Sequence, residues 1–260
     1  MSFKQTQAVF LRYWYNLKKG PQQLSDLFYW PLIDIMLWGI TAVWMQAQSP
    51  NPKLSLILLS GLIFWQVTWR GSIDFSVSLL HELWHRNLIN LFSTPMRLQD
   101  WYYGVTLFSL CKLAVTISFG SFMVYLLYGL NVFEIGWTTI PFMTTLLIFG
   151  WAVGLIASSA IIYWGHQIEA LAWMVGFVFA PFCGVFYPVE VLPGWVQTIA
   201  WYLPPTYVFE GLRSILNHGT YPTNYLWISF GLSLLYLCGS LFLFQFMFEK
   251  SRKKGLGRLV

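Results

Sequence analysis

Residues 137–163 read WTTIPFMTTLLIFGWAVGLIASSAIIY, with no Asp, Glu, Lys or Arg among them. A helix needs about 20 predominantly apolar residues to cross a hydrocarbon core, and this stretch supplies them with no charge to desolvate. Five further segments share its character, at roughly 27–46, 54–78, 103–128, 168–187 and 224–248. The expected fold is an all-α membrane protein, one domain over residues 1–260 with six transmembrane helices.

Composition agrees. The chain is 57% hydrophobic and 20% aromatic but only 10% charged, where a soluble domain carries about 25% charge. A globule this apolar lacks the polar residues to cover its surface, and a bilayer removes that need. Cys111, Cys183 and Cys238 are odd in number and sit in apolar segments, which excludes a disulfide framework or a paired Cys-x-x-Cys ligand motif. The first apolar segment follows a long polar lead and has no small-residue cleavage site after it, so it is expected to stay in the membrane.

The net charge of +5 is explained by placement. Lys4, Arg12, Lys18 and Lys19 precede the first span, Arg86 and Arg97 follow the second, and Lys250, Arg252, Lys253, Lys254 and Arg258 follow the last. With six spans these eleven fall on one side, against Lys53 and Arg213 on the other. Both termini are therefore expected in the cytoplasm, facing anionic lipid, and no nucleic-acid site is expected. Residues 3–19 read as an interfacial helix, with Phe3, Phe10, Trp14 and Leu17 on one face and Gly20-Pro21 at its end. Small residues at Gly150-x-x-x-Gly154 and Gly176-x-x-x-Ala180-x-x-x-Gly184 allow close helix approach, within the subunit or across a dimer.

Two long connections break the pattern. Residues 79–96, LLHELWHRNLINLFSTPM, place Leu80, Leu83, Trp84, Leu88, Leu91 and Phe92 at helical spacing, and Pro95 ends the run. An amphipathic helix on the cytoplasmic side is expected. It contains His81-Glu82-Leu83-Trp84-His85, a literal H-E-x-x-H, which in a zinc protease sets two imidazoles on one helical face with the Glu as general base. Catalytic zinc needs a third protein ligand. Asp100, His166 and Glu169 are available, in no recognisable context. The other connection, PFCGVFYPVEVLPGWVQTIAWYLPPTYVFEGLRSIL at 181–216, has prolines at 188, 193, 204 and 205 that forbid one long helix. Two short aromatic-rich helices, 194–202 and 206–216, are expected to dip partway into the membrane. Glu210 and Arg213, three apart, can pair.

Asp34, Arg70, Asp74 and Lys112 fall inside spans, where a charge faces protein or water. Arg70 and Asp74, four apart on one helix, are expected to neutralise each other. Trp38, Trp44, Phe64, Trp65 and Trp69 cluster in the first two spans. Mid-span tryptophans are less easily explained by interfacial belts. Trp38, Trp65, Trp69, Arg70 and Asp74 are the candidates for a translocation pathway.

In its order of elements the whole chain resembles the permease subunit of type-2 ATP-binding-cassette (ABC) exporters. The inner motif is Arg86-Asn87-Leu88-x-x-Leu91-Phe92-x-Thr94-Pro95. The outer one is Phe186-Tyr187-Pro188, then Leu192-Pro193, then Leu203-Pro204-Pro205-Thr206-Tyr207-x-x-Glu210-x-x-Arg213. The His-Glu-Leu-Trp-His run is a departure, as is Pro204, where the family often has Asn. The resemblance implies a coupling helix at 79–96 that seats in a separate ATPase, with Glu82, His85, Arg86, Asn87, Thr94 and Pro95 as coupling residues. It implies an outer gate built on Pro188, Pro193, Trp195, Pro204, Pro205, Glu210 and Arg213. The chain has no G-x-x-x-x-G-K-[ST] phosphate loop. No catalytic residue, metal or cofactor is therefore expected on it. ATP and Mg belong on two partner ATPase subunits, and the permease is expected to be a homodimer in a bacterial inner membrane. The substrate implied is amphipathic, a glycan, glycolipid or lipophilic drug-like molecule. The alternative is a membrane zinc metalloprotease using His81, Glu82 and His85.

Overall fold

The computed structural model describes residues 3–255 apart from Pro50 and Pro95. Pro95 and Arg258 thus lie outside the described residues, as do the side chains of Phe92 and His166. The order is α1 (Phe3–Lys19), α2 (Pro21–Gln48), α3 (Leu54–Trp84), α4 (Leu88–Ser93), α5 (Leu98–Tyr128), α6 (Thr139–Trp164), α7 (Ala170–Phe179), α8 (Gly194–Ala200), α9 (Pro204–His218) and α10 (Thr223–Lys253). No strand occurs among the described residues.

Helix α3 is the axis of the bundle. It is apolar or small on most of its surface, with one polar strip of Gln66, Arg70 and Asp74, and is buried along nearly its whole length, as a helix apolar on most sides must be. Helix α6 lies directly against it. A Cβ on Gly150 would sit 2.6 Å from the Thr68 carbonyl oxygen, and one on Gly154 2.4 Å from that of Ser72. Gly150-x-x-x-Gly154 therefore packs within the subunit, which resolves the choice its spacing left open. Gly176 of α7 does the same against the Trp69 ring. Helices α2, α5 and α10 surround this centre with largely exposed apolar faces, the sides a membrane would wet.

One end of the bundle gathers α1, the C-terminal end of α3, the N-terminal end of α5 and the C-terminal end of α10. Trp101 stacks on Phe244 with ring centroids 5.8 Å apart, and Lys254 Nζ donates to the Tyr163 hydroxyl at 2.7 Å. Both ends of the described chain thus lie at this basic end. Lys53 and Arg213 lie at the other, where Lys53 Nζ donates to the Leu216 carbonyl.

Three expectations change. Five helices, not six, are long and apolar enough to cross a membrane among the described residues. The segment expected to span at 168–187 is the ten-residue α7 followed by turns. At 1.5 Å per residue α7 covers about 15 Å, half of a hydrocarbon core. Pro181 and Gly184, the latter at φ +65°, prevent the helix from continuing. The segment still runs from the basic end toward the other. Glu169, just before α7, accepts a hydrogen bond from Trp84 at the basic end, and Phe186 stacks on Trp38 further across.

The helix expected at 79–96 is not a separate element. Its first third is the end of α3; the chain breaks at 85–87 and resumes as α4. The break closes α3 with paired bonds, Arg86 N–H to the Leu83 carbonyl and Asn87 N–H to the Glu82 carbonyl. That C-terminal motif needs a left-handed residue, ordinarily Gly, and Arg86 adopts it at φ +52°. In α1 the face packed on protein is Thr6, Val9, Tyr13 and Leu17, while Phe3 points away.

Candidate functional site

A cavity of about 660 Å³ runs between α2, α3, α5 and α7. It begins at the basic end beside Tyr13, Gln23 and His81 and reaches Trp38, Leu62 and Phe186 toward the other. All five pathway candidates, Trp38, Trp65, Trp69, Arg70 and Asp74, line it.

The wall from α2 has a regular origin. Asp26, Trp30, Asp34 and Trp38 recur every four residues and all face the cavity, because residues four apart lie on one helical face. From α3 the same periodicity presents Trp65, Trp69, Ile73 and Val77, flanked by Gln66, Arg70 and Asp74. Trp30, Asp26 and the α7 aromatics Trp173 and Phe177 were not singled out above. The four-residue alternation of acid and tryptophan was the available signal.

The buried charges pair differently from the expectation. Asp74 is bridged by Lys112 from α5, not by Arg70. Arg70 donates instead to the backbone carbonyl of Asp26. Helical spacing identified a possible partner for Asp74, but a lysine from a facing helix reaches it and also lies over the Phe108 ring at 5.3 Å. Asp34 accepts from the Gln66 amide at 3.2 Å. Two buried atoms in this wall have no hydrogen-bond partner, Arg70 Nε and Asp74 Oδ2.

At the basic end Glu82 is a hub. It is 1% exposed and its carboxylate accepts from Arg12 Nη2 at 2.7 Å, Tyr13 Oη at 3.1 Å and Asn87 Nδ2 at 2.9 Å. Trp101 Nε1 donates to the same tyrosine oxygen at 3.0 Å. Burial, then the adjacent carboxylate, pushes the Tyr13 phenol well above its ordinary value, so it stays a protonated donor. Glu82 therefore ties α1 to the end of α3 and to the break after it. Arg86 and His85 are exposed beyond that tie, and His85 Nδ1–H donates to the His81 carbonyl at 2.7 Å. Thr94 Oγ1 donates to the Leu91 carbonyl at 2.7 Å.

This geometry gives the zinc-protease reading no support. The carboxylate required as general base is turned into α1 and fully engaged. Among the described residues no group of three His, Cys, Asp or Glu is placed to hold a metal.

At the opposite end the proline-rich segment folds back into the bundle. Pro188 and Pro193 precede the short turn 189–191 and α8, and Pro204 and Pro205 open α9. Proline tolerates a first helical turn because its missing N–H is unneeded there. The carbonyls of Pro204 and Tyr202 accept from Ser229 and Tyr236 of α10. Those residues lie about 9 and 20 Å along α10 from Thr223, so the turn between α8 and α9 packs alongside α10 well short of its end. Glu210 accepts from Arg213 at 2.9 Å and from the Val189 N–H at 2.8 Å, and Arg213 also donates to the Gly184 carbonyl. Trp195 is 68% exposed and takes no part in this clasp.

Residues 4–217 match the family model described as ABC-2 type transporter. The chain belongs to that family and is a multi-pass membrane permease component, a kind of subunit that works with an ABC ATPase. No curated protein matched it.

Proposed function

We propose that this permease is the transmembrane half of an ATP-driven exporter that moves an amphipathic substrate out of the cytoplasm or inner leaflet. The observation that carries the reading is the cavity. It extends from the basic end toward the opposite end and combines aromatic walls with a few charges, the lining of a site for a molecule that is part apolar and part polar. Two copies would work with two ATPase subunits in a bacterial inner membrane, with the basic end in the cytoplasm.

Coupling would pass through the 82–94 segment. Arg86 and His85 are available to an ATPase, whereas Glu82 and Asn87 act behind them by holding the break against α1. Movement of α4 would therefore be felt by α1 and by the inner end of α3, whose next turns line the cavity. The Glu210–Arg213 clasp would hold the outer gate closed until α7 moves. Glycan, glycolipid and lipophilic drug-like molecules all fit this reading.

Co-expression with an ABC ATPase tests it. The expected result is a complex of two permeases and two ATPases, with ATP hydrolysis that rises when an amphipathic substrate is added. A permease that purifies alone, and hydrolysis indifferent to its presence, would overturn the proposal.

A further inference from the structure

We infer that the cavity selects an organic cation, one positive charge carried on an apolar or aromatic body. The inference rests on the exporter reading for its physiological purpose, but not for its chemistry.

Charge is the first argument. The cavity wall carries Asp26, Asp34 and Asp74 against Arg70 and Lys112, a formal balance of −1 with His81 neutral. Lys112 is bridged to Asp74, and Arg70 donates to the Asp26 backbone carbonyl. Among the described residues neither Asp26 nor Asp34 forms a salt bridge; the single Arg70 charge is shared among Asp26, Asp34 and Asp74. One carboxylate charge in the wall is therefore left without a matching cation. An incoming organic cation balances it, and an incoming anion adds to it.

The spacing of the wall is the second. On α2 the acids alternate with Trp30 and Trp38 at about 6 Å per step, and Trp65, Trp69 and Trp173 complete the wall. Tryptophan faces attract cations through their quadrupole, more strongly when water is excluded. Carboxylate and indole side by side favour the same ligand, a charge with apolar surface around it. The unpartnered Asp74 Oδ2, on a side chain sealed from solvent, is a further acceptor in the same wall.

A pair of ions matched in shape and opposite in charge provides the test. Tetraphenylphosphonium and tetraphenylborate are titrated against the purified full-length permease in lipid nanodiscs, following tryptophan fluorescence. Wild type is expected to show saturable quenching by the phosphonium and none by the borate. Asp26→Asn and Asp34→Asn should each weaken phosphonium binding roughly tenfold, while non-saturable partitioning into the lipid stays the same. Saturable binding of the borate at equal or higher affinity would overturn the inference. So would no saturable binding of either ion, or phosphonium binding unchanged in both variants. The wild-type comparison needs no substitution, so a variant that misfolds does not spoil it. No ATPase is present, so failure of the exporter reading leaves this result intact, and the reverse.

Discussion

Replacing Glu82 by alanine removes a polar tie between α1 and the end of α3, and its cost can be worked from the contacts. Three donors converge on the carboxylate, and a hydrogen bond to a charged group contributes about 1.5–3 kcal/mol. The gross loss is offset because the variant no longer buries a carboxylate, which itself costs several kcal/mol. Arg12 has a side chain 36% exposed, so it regains water on release and belongs at the low end of the range. Tyr13 does not regain water. Its hydroxyl is buried, keeps Trp101 as a donor and loses the Glu82 acceptor, a penalty of about 1–3 kcal/mol. The net expectation is a loss of about 2 kcal/mol, concentrated on α1. Hydrogen exchange by mass spectrometry reads this directly. Amides of residues 6–17 should exchange roughly thirtyfold faster in Glu82→Ala, the factor corresponding to about 2 kcal/mol, with α3 and α6 protected as before. Glu82→Gln, which keeps an acceptor oxygen for Tyr13, should show a smaller effect. Unchanged protection of α1 in Glu82→Ala would refute the reasoning, because it would mean that the packing of Val9, Tyr13 and Leu17 holds the helix without the carboxylate.

Three other outcomes follow from the packing. Gly154→Val should destabilise the protein by at least about 1–3 kcal/mol, the usual cost of overpacking, since its side chain meets backbone of α3; a thermal melt in detergent should drop, while Gly194→Ala, with nothing within 4 Å of its added carbon, should leave it unchanged. Arg86→Gly should raise the melting temperature by relieving about 1 kcal/mol of left-handed strain, and if the guanidinium contacts the ATPase it should weaken the complex at the same time; a lower melting temperature would contradict the assignment of the break. Glu210→Ala frees both Arg213 and the Val189 N–H, so protease cleavage within 185–195 should accelerate in intact vesicles that expose the outer end; an unchanged rate would argue against the clasp.

Much of the fold was legible because bilayer-spanning helices are defined by length and apolarity, which are local properties. Residues 137–163 needed no tertiary information. The broken passage at 168–187 was misread because hydropathy alone does not register where Pro181 and Gly184 stop a helix. The separate helix at 79–96 was misread for a related reason. Nothing in an Arg-Asn dipeptide announces a left-handed turn, and α3 ends there because the Glu82 hub and the paired backbone bonds outweigh the strain at Arg86. The cavity-lining Trp38, Trp65 and Trp69 were legible from their mid-span position, but Asp26 and Trp30 needed the four-residue alternation to be read across the start of the first span. The Lys112–Asp74 bridge was not readable at all. It depends on which helix α3 faces, and within one helix Arg70 looked an equally good partner.

The central claim is that the α2–α3–α5–α7 cavity is the route of an ATP-driven substrate. Filling it tests this most directly. Ile73 lines the cavity, and Ile73→Trp would occupy part of its volume without adding charge. The permease is reconstituted with its ATPase in proteoliposomes, and ATP-dependent movement of rhodamine 6G and of a fluorescent short-chain glycolipid is followed. The account predicts ATP-dependent movement of at least one probe with wild type and its loss with the folded, assembled Ile73→Trp complex. Undiminished movement with the cavity filled would contradict it.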